Sequence, residues 1–224
     1  MNDPVHAIVL VSGGLDSCVT AAVAACDRRL SFLHVAYGQR TQARERLAFT
    51  QIADHFQVEN RRIVDISYLR DIGGSSLTDP ALEVESGDDV EKLAAIPSTY
   101  VPFRNANLLA IAVSWGEVIG ATEIYLGAHE EGAPYPDCQA GFFDAFNAMV
   151  RAGTRPQTHL EVLTPILALD KAGIVTCGLE LGAPLHLTWS CYVSEDQPCG
   201  SCHSCHGRQL GFQKAGVVDP LLRP

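Results

Sequence analysis

Residues 12–17, Ser-Gly-Gly-Leu-Asp-Ser, directly follow the apolar run 6–11. Two adjacent glycines let a backbone turn tightly and come close to a ligand. Their N–H groups, together with those of a following helix, can bind an anion such as phosphate, and Ser12 and Ser17 add hydroxyl donors. Asp16 would repel a bare phosphate, so its position predicts a Mg²⁺ ion between the two. A glycine pair by itself is equally consistent with an ordinary strand-to-helix turn.

Four cysteines are crowded near the end of the chain, with the spacing Cys191-x7-Cys199-x2-Cys202-x2-Cys205. Overlapping C-x-x-C steps bring three sulfurs to one centre, and Cys191 supplies a fourth. Four thiolates with no open position are typical of a structural zinc site. The triplet also resembles the start of iron–sulfur motifs, but no Cys-Pro follows it and the fourth cysteine lies upstream. The spacing therefore favours zinc, with His203 and His206 exposed or outside the ligand shell.

The composition narrows the class of protein. The 224 residues carry 16 Lys and Arg against 26 Asp and Glu, a formal charge of −10, which argues against extended binding to DNA or RNA. No stretch reaches the roughly 20 apolar residues of a membrane span, and the N-terminus lacks the basic region of a signal peptide. We therefore expect a cytoplasmic protein with reduced cysteines, of which Cys18, Cys26 and Cys177 are small core residues.

Strand-like and helix-like segments alternate along the chain. Apolar runs predict strands at 6–11, 31–38, 61–66, 122–128 and 160–166, and helical patterns lie at 16–26, 41–56, from 101 to 119, 139–152 and 170–182. This alternation predicts an α/β fold with a parallel five-stranded sheet and helices on both faces. Ligands of such sheets bind beyond the carboxyl ends of the strands. We expect a nucleotide-binding domain over 1–187 and a small zinc-binding segment over 188–224.

Some local features are predicted in more detail. Asp16 or Ser17 is expected near the N-cap of the first helix, and Asp170 at the N-cap of the last, with Gly182 past its end. Residues 73–98 are rich in Gly, Ser and acids, which favours an irregular functional loop and makes them a candidate lid. The second helix is expected to bury one stripe, formed by Leu47, Ala48, Ile52 and Phe56.

The string Ser-Gly-Gly-x-Asp-Ser after a first strand resembles the PP-loop of ATP pyrophosphatases. Further motifs extend the resemblance over nearly the whole chain: YGQR, GGSSLTD, IPSTYVPFRN, YPDC, TPI with DK, LTWSCY, and CGSCHSC followed by an arginine. In this order they resemble the 7-cyano-7-deazaguanine synthase family. The resemblance implies a PP-loop fold that is Rossmann-like, a homodimer, and ATP, magnesium and zinc as cofactors. It also implies the substrate, 7-carboxy-7-deazaguanine, whose carboxylate is adenylated, converted by ammonia to an amide, adenylated again and dehydrated to a nitrile.

The resemblance also implies roles for particular residues. Asp16, Ser17, Lys171 and Arg104 would act in catalysis by holding phosphate charge. Asp137, Tyr135, Ser75 and Ser76 would contact the substrate, with the Asp137 carboxylate accepting the N–H groups of a guanine-like base. The nucleotide would be held by Leu10, Val11, Ser12, Gly13, Gly14, Leu15, Asp16, Ser17, Cys18, Tyr37 and Gln39.

Plainer interpretations of these residues remain open. Lys171 is also consistent with a solvated helix residue, Arg104 with a surface arginine, and Asp137 with an ordinary turn. The alternatives for the whole chain are a PP-loop enzyme that adenylates another carboxylate, amide or tRNA base, and a zinc-stabilised nucleotide-binding module without turnover. Because 224 residues leave no room for a glutaminase domain, the expected nitrogen source is free ammonium.

Overall fold

The computed structural model describes residues 4–87, 96–130 and 135–222 of the chain. No helix within these ranges is long and apolar enough to cross a membrane. The helices and strands, in chain order, are β1 (His6–Leu10), α1 (Leu15–Ala25), β2 (Arg29–Ala36), α2 (Gln42–His55), β3 (Arg61–Asp65), α3 (Tyr68–Ile72), α4 (Arg104–Ile119), β4 (Glu123–Leu126), α5 (Ala140–Gly153), β5 (Glu161–Leu163), α6 (Lys171–Glu180) and α7 (His203–Lys214).

The strands form one parallel sheet in the order β3-β2-β1-β4-β5. The five-stranded parallel sheet predicted from the sequence is therefore confirmed. The chain winds from β1 outward to β3 and then returns to the other side of β1 to form β4. The direction in which strands are added to the sheet reverses between β1 and β4. Open parallel sheets bind ligands at this switch point, beyond the carboxyl ends of the strands. Residues 12–17 follow β1 at this position.

Helices cover both faces of the sheet, as the continuous apolar strands predict. On one face Ala7 and Val9 pack with Cys18 of α1 and Phe49 of α2. On the opposite face Ile8 and Leu10 pack with Leu109 and other residues of α4 and α5. All five residues of β1 are buried, so the strand that leads into the 12–17 loop is fixed from both sides.

Two predictions about helix α6 are confirmed. The Asp170 carboxylate accepts a hydrogen bond from the Gly173 N–H at 2.7 Å, as an N-cap does. Gly182 lies just past the helix with a φ of +66°, a left-handed conformation that glycine adopts without strain. Lys171 is therefore the first residue of a well-defined helix.

The expectation of Asp16 or Ser17 near the N-cap of α1 is confirmed, since the N-cap is Gly14 and both residues lie in the first turn. Two other local predictions are wrong. Leu47 is half exposed, while Phe49 and Ala53 are buried beside the predicted Ala48 and Ile52, because the buried stripe of the helix is shifted toward Phe49 and Ala53. Cys26 is exposed rather than in the core, because α1 ends at the residue before it.

The predicted loop at 73–98 begins after the short helix α3, which the sequence pattern did not indicate. Gly87 donates its N–H to the Ser201 carbonyl at 2.9 Å, and Ser86 forms an isolated antiparallel bridge with Cys202. This part of the loop is therefore paired with residues 188–222, which we call the cysteine-rich segment. Residues 88–95 lie outside the described residues, and the lid at 73–98 stays a prediction.

Candidate functional site

The 12–17 loop is held in place by its own serines. Ser17 Oγ donates to the Gly14 carbonyl at 3.0 Å and lies 3.0 Å from Ser12 Oγ, which accepts the Gly14 N–H at 3.1 Å. Gly13 has a φ of +95°, and a Cβ at this position would lie 2.5 Å from the Glu45 carbonyl oxygen of α2. The first glycine is therefore required both by its backbone angle and by the close approach of α2.

Asp16 and Lys171 form an ion pair across the loop. Lys171 Nζ donates to the two Asp16 carboxylate oxygens at 2.8 and 2.9 Å. His129, which follows β4, places its Nε2 3.1 Å from Lys171 Nζ and 3.6 Å from Asp16 Oδ2. Burial acts to raise the pKa of Asp16, but the charges of Lys171 and His129 outweigh it, so the pKa is lowered. Asp16 is therefore a carboxylate at neutral pH.

The close packing of β4 and α1 brings these groups together. A Cβ at Gly127, directly after β4, would lie 2.9 Å from the Asp16 carbonyl oxygen and from the Ser17 backbone nitrogen. Only glycine lets the chain after β4 come this close to the first turn of α1. This close approach is the physical reason that His129 and Asp16 are neighbours.

A cavity of about 210 Å³ opens at this edge of the sheet. Its wall contains the carboxyl ends of β1, β2 and β4 together with side chains from α4, α6 and α7. The predicted catalytic and nucleotide-binding residues that line it are Leu10, Val11, Ser12, Gly14, Leu15, Asp16, Ser17, Tyr37, Arg104 and Lys171, and the predicted metal ligand Cys191 also lines it. The structure thus brings the predicted catalytic residues Asp16, Ser17, Lys171 and Arg104 to one cavity.

Arg104 enters the cavity from the N-terminus of α4. Its Nη1 donates to Tyr37 Oη at 3.3 Å, and its guanidinium carbon lies 5.5 Å from the centre of the Tyr37 ring. Its Nε is buried and has no hydrogen-bond partner among the described residues. A guanidinium with an unused donor in a cavity wall is suited to bind an anion.

Three predicted nucleotide-binding residues lie behind the cavity wall. Gly13, Cys18 and Gln39 do not line the cavity. The Gln39 side chain accepts the Tyr37 N–H at 2.9 Å and donates to Glu45 Oε2 at 3.0 Å. Gln39 therefore fixes the position of Tyr37 and Glu45, which do line the cavity.

None of the four residues predicted to contact the substrate lines the cavity. Asp137 Oδ2 accepts the Asn105 N–H at 2.8 Å, so one oxygen of this buried carboxylate binds the N-terminus of α4. Tyr135 Oη lies 2.7 Å from Thr99 Oγ1, and the Tyr135 ring stacks on Tyr100. Ser75 and Ser76 are fully buried.

Several residues at this edge were not predicted from the sequence. Glu45 and Arg208 line the cavity, and His129 contacts Lys171 and Asp16. Burial raises the pKa of Glu45, and burial also raises the pKa of Cys138 to about 11, which makes this cavity thiol a neutral group at pH 7 and a poor nucleophile. The arginine after CGSCHSC was a signal for Arg208, but no spacing indicated Glu45 or His129.

The four predicted cysteines form one cluster. The sulfurs of Cys191, Cys199, Cys202 and Cys205 all lie within 4.8 Å of one another. Cys191 Sγ accepts backbone N–H groups from Val193, Ser194 and Cys199 at 3.3 to 3.4 Å. Such donors stabilise a thiolate, and the pKa of Cys191 is lowered by hydrogen bonds from Cys202 and Cys205 and from the backbone. Four sulfurs at this separation fit a tetrahedral metal ion.

A parallel five-stranded sheet with this glycine- and serine-containing loop at its switch point defines the class as a PP-loop α/β protein. Comparison with known proteins gives the family. Residues 6–216 match the family model described as "Queuosine biosynthesis protein QueC". The chain therefore belongs to this family.

Curated relatives match this chain over almost its whole length. The chain is 49% identical over 217 residues to a 7-cyano-7-deazaguanine synthase of Chlorobium limicola, covering 96% of this chain and 95% of the relative. It is 51% identical over 219 residues to the protein of that name from Chlorobaculum parvum, with the same coverage.

One solved structure shows the same fold at low sequence identity. NMN synthetase from Francisella tularensis aligns with a TM-score of 0.50 and 11% identity over 99% of this chain and 90% of that one. This likeness concerns the fold alone. The resemblance stated from the sequence motifs is confirmed by the family model and by the curated relatives.

Proposed function

We propose that the protein is an ATP-dependent ligase that converts 7-carboxy-7-deazaguanine and ammonium to 7-cyano-7-deazaguanine in queuosine biosynthesis. The observation that carries the proposal is the identity of about half of all positions to synthases of that name, in a chain whose 12–17 loop, Lys171 and Arg104 share one cavity. There are two alternatives: a PP-loop enzyme that acts on another substrate, and a nucleotide-binding protein without catalytic activity. The experiment described below distinguishes them from the proposed ligase.

The proposed reaction uses ATP twice. The substrate carboxylate attacks the α-phosphorus and pyrophosphate leaves, giving an acyl adenylate. Ammonia attacks the carbonyl carbon and AMP leaves with one carboxylate oxygen, giving the amide. The amide oxygen then attacks the α-phosphorus of a second ATP, pyrophosphate leaves, and the nitrogen loses one of its two protons. Loss of the second proton from nitrogen expels AMP with the second oxygen and leaves the nitrile. Each adenylation makes a good leaving group from a poor one, so the protein has mainly to position reactants and stabilise phosphate charge.

The cavity residues would divide this work between them. Ser12, Gly14 and Ser17 would donate to the phosphates, and Lys171 would neutralise their charge after leaving Asp16. Arg104 would bind the same phosphates from helix α4, whereas Lys171 lies on helix α6. Asp137 would act indirectly, because its bond to the Asn105 N–H fixes the start of α4 and thereby Arg104. Tyr135, Ser75 and Ser76 do not line this cavity, so they would contact the substrate beyond it and not the nucleotide.

The residues present fit the two metals that the family implies. Asp16 with the hydroxyls of Ser12 and Ser17 is an oxygen donor set that Mg²⁺ accepts together with phosphate oxygens, and the ion would neutralise charge on the pyrophosphate. Because Lys171 contacts both Asp16 oxygens, its ammonium group has to move from Asp16 to the phosphates when the ion binds, while its stem stays in place. The four cysteines would hold one structural zinc ion.

Assembly and location complete the proposal. A cytoplasmic homodimer is expected from the family resemblance, and the net charge of −10 supports a small-molecule substrate rather than a nucleic acid. Light scattering on the purified protein would report the mass in solution. A mass equal to one chain would contradict the dimer without affecting the proposed reaction.

The reaction is tested with purified protein, ATP, Mg²⁺, ammonium and 7-carboxy-7-deazaguanine. Mass spectrometry follows the amide and the nitrile, and AMP is assayed in parallel. We expect two AMP for each nitrile, no nitrile without ammonium, and neither product with the Asp16→Asn variant. AMP without nitrile would indicate another substrate, and no AMP above background would contradict the ligase.

A further inference from the structure

Helices α6 and α7 touch at Gly211. A Cβ at this position would lie 2.6 Å from Lys171 Cγ and 3.0 Å from the Lys171 carbonyl oxygen, closer than real Cβ contacts allow. Gly207, one turn earlier on α7, is different, because a Cβ there would lie 4.0 Å from Lys171 Cε, an ordinary contact. Only Gly211 therefore brings α7 directly against the stem of Lys171.

Helix α7 belongs to the cysteine-rich segment. It begins at His203, immediately after Cys202, and contains Cys205. The same segment reaches the 12–17 loop by a second route, since the Trp189 N–H donates to the Gly13 carbonyl at 2.8 Å. The four-cysteine cluster is thus connected by short lengths of chain to both partners of the Asp16–Lys171 pair.

A lysine needs such a contact to be held in one place. Its four-carbon stem is flexible, and its ammonium group is a point charge without the geometry of a guanidinium. The Lys171 side chain is only 24% exposed, because α7 covers its stem while its Nζ points to Asp16. A displacement of about 1 Å at such a group can lower a rate roughly a hundredfold.

We propose that Gly211 is a positioning residue for Lys171: its missing side chain lets α7 fix the lysine stem so that the ammonium group faces Asp16 and the phosphate site. This inference rests on the proposed use of Lys171 for ATP. It assigns the cysteine-rich segment a part in arranging the ATP site, beyond holding the C-terminal helix.

The first test compares Gly211→Ala with the matched control Gly207→Ala. Both substitutions replace a glycine in the same helix and raise helix propensity equally. The readout is the Kd for a non-hydrolysable ATP analogue with Mg²⁺, together with the kcat and KM for AMP release. We expect Gly207→Ala to resemble the wild type. We expect Gly211→Ala to bind the analogue about tenfold more weakly, with kcat/KM lower by about a hundredfold.

The second test asks whether Gly211 acts through Lys171. Lys171→Ala removes the 2.6 Å contact with Cγ and leaves the 3.0 Å contact with the carbonyl oxygen of residue 171 as the closest, so Gly211→Ala should weaken analogue binding much less in that background. Gly211→Ala should also lower the melting temperature less in the Lys171→Ala background than in the wild type, which keeps the test valid if the single variant is unstable. The proposal would be overturned if Gly211→Ala lowered the affinity for the analogue equally in the wild-type and Lys171→Ala backgrounds. It would also be overturned if Gly211→Ala bound the analogue as tightly as the wild type does.

Failure of the proposed function gives a different result. A wild-type protein that does not bind the ATP analogue contradicts the proposed function itself. In that case the melting temperatures still decide whether Gly211 and Lys171 are coupled. If Gly211→Ala lowers the melting temperature as much in the Lys171→Ala background as in the wild type, the two residues are not coupled and the inference is contradicted.

Discussion

Arg208 and Asp219 form a buried bidentate ion pair. Arg208 Nε lies 2.6 Å from Asp219 Oδ2, and Arg208 Nη2 lies 2.8 Å from Asp219 Oδ1. Their side chains are 4% and 5% exposed. Arg208 also donates to Thr188 Oγ1 at 2.7 Å, and it lines the cavity. The pair therefore connects the end of the described chain to the wall of the cavity at the carboxyl edge of the sheet.

Substitution of Asp219 is expected to lower the free energy of unfolding strongly. Asp219→Ala would leave the Arg208 guanidinium buried without a carboxylate, which costs about 3–5 kcal/mol. Urea unfolding followed by circular dichroism measures the loss. The control is Asp54→Ala, because Asp54 pairs with Arg61 at the same 2.6 Å but with side chains 59% and 36% exposed. The control should lose less than about 1 kcal/mol, and equal losses would show that burial does not decide the outcome.

Replacement of Arg104 tests which anion this residue binds. If it binds phosphate, Arg104→Gln should slow AMP release about 10²–10³-fold, as removal of a charge-stabilising donor does. The loss should be similar with the acid and with the neutral amide as substrate, because both steps consume ATP. Arg62→Gln is the control, since Arg62 is exposed on β3 and stacks on Trp115. A loss confined to the acid would place Arg104 at the substrate carboxylate instead.

The sheet and the loop could be predicted because their signals are local in the sequence. A buried strand such as β1 is a continuous apolar run, and the 12–17 string and the C-x-x-C steps lie within a few residues of one another. Local rules also place the N-cap of α6 at Asp170. They place Asp16 near the N-cap of α1 but do not identify Gly14 as the capping residue, because the backbone conformations of the two glycines are not specified by residue type alone.

Contacts between distant parts of the chain could not be predicted in this way. Asp137 looks like a turn residue after Pro136, but its carboxylate binds the backbone of Asn105 on another helix. Gly211 looks like a weak point in a helix, and only the packing of α6 shows that a side chain would not fit. Likewise His129 has no motif of its own and becomes a neighbour of Asp16 because β4 lies next to β1 in the sheet.

Removal of the metal is expected to affect the ATP site. Elemental analysis should find one zinc ion per chain, and Cys199→Ser should reduce that content. Because the cysteine-rich segment contacts Gly13 and Lys171, the variant should also bind the ATP analogue more weakly. Cys26→Ser is the control, since Cys26 is exposed and outside the cluster. Iron in place of zinc would contradict the metal assignment, and full analogue affinity without metal would contradict the connection between the two sites.

Stability is expected to fall as the pH drops below about 7, through His34. Burial and the charge of Arg46 lower the pKa of His34, outweighing its hydrogen bond to the Val11 carbonyl, and its buried Nε2 has no partner among the described residues. In the unfolded chain the pKa is about 6.5, so the unfolded state takes up a proton that the folded state does not. Stability therefore decreases as the pH falls through 6.5 toward the folded-state pKa, and each unit of separation is worth about 1.4 kcal/mol.

Urea unfolding between pH 8 and pH 6 measures this slope. His34→Leu should be less stable at pH 8, because the Val11 carbonyl loses its donor, but its stability should change less with pH. The pKa of His6 is also lowered, mainly by burial and then by Arg29, so part of the slope should remain in His34→Leu and should become smaller in the double variant with His6→Gln. An unchanged slope in His34→Leu would mean that His34 does not take up the proton on unfolding.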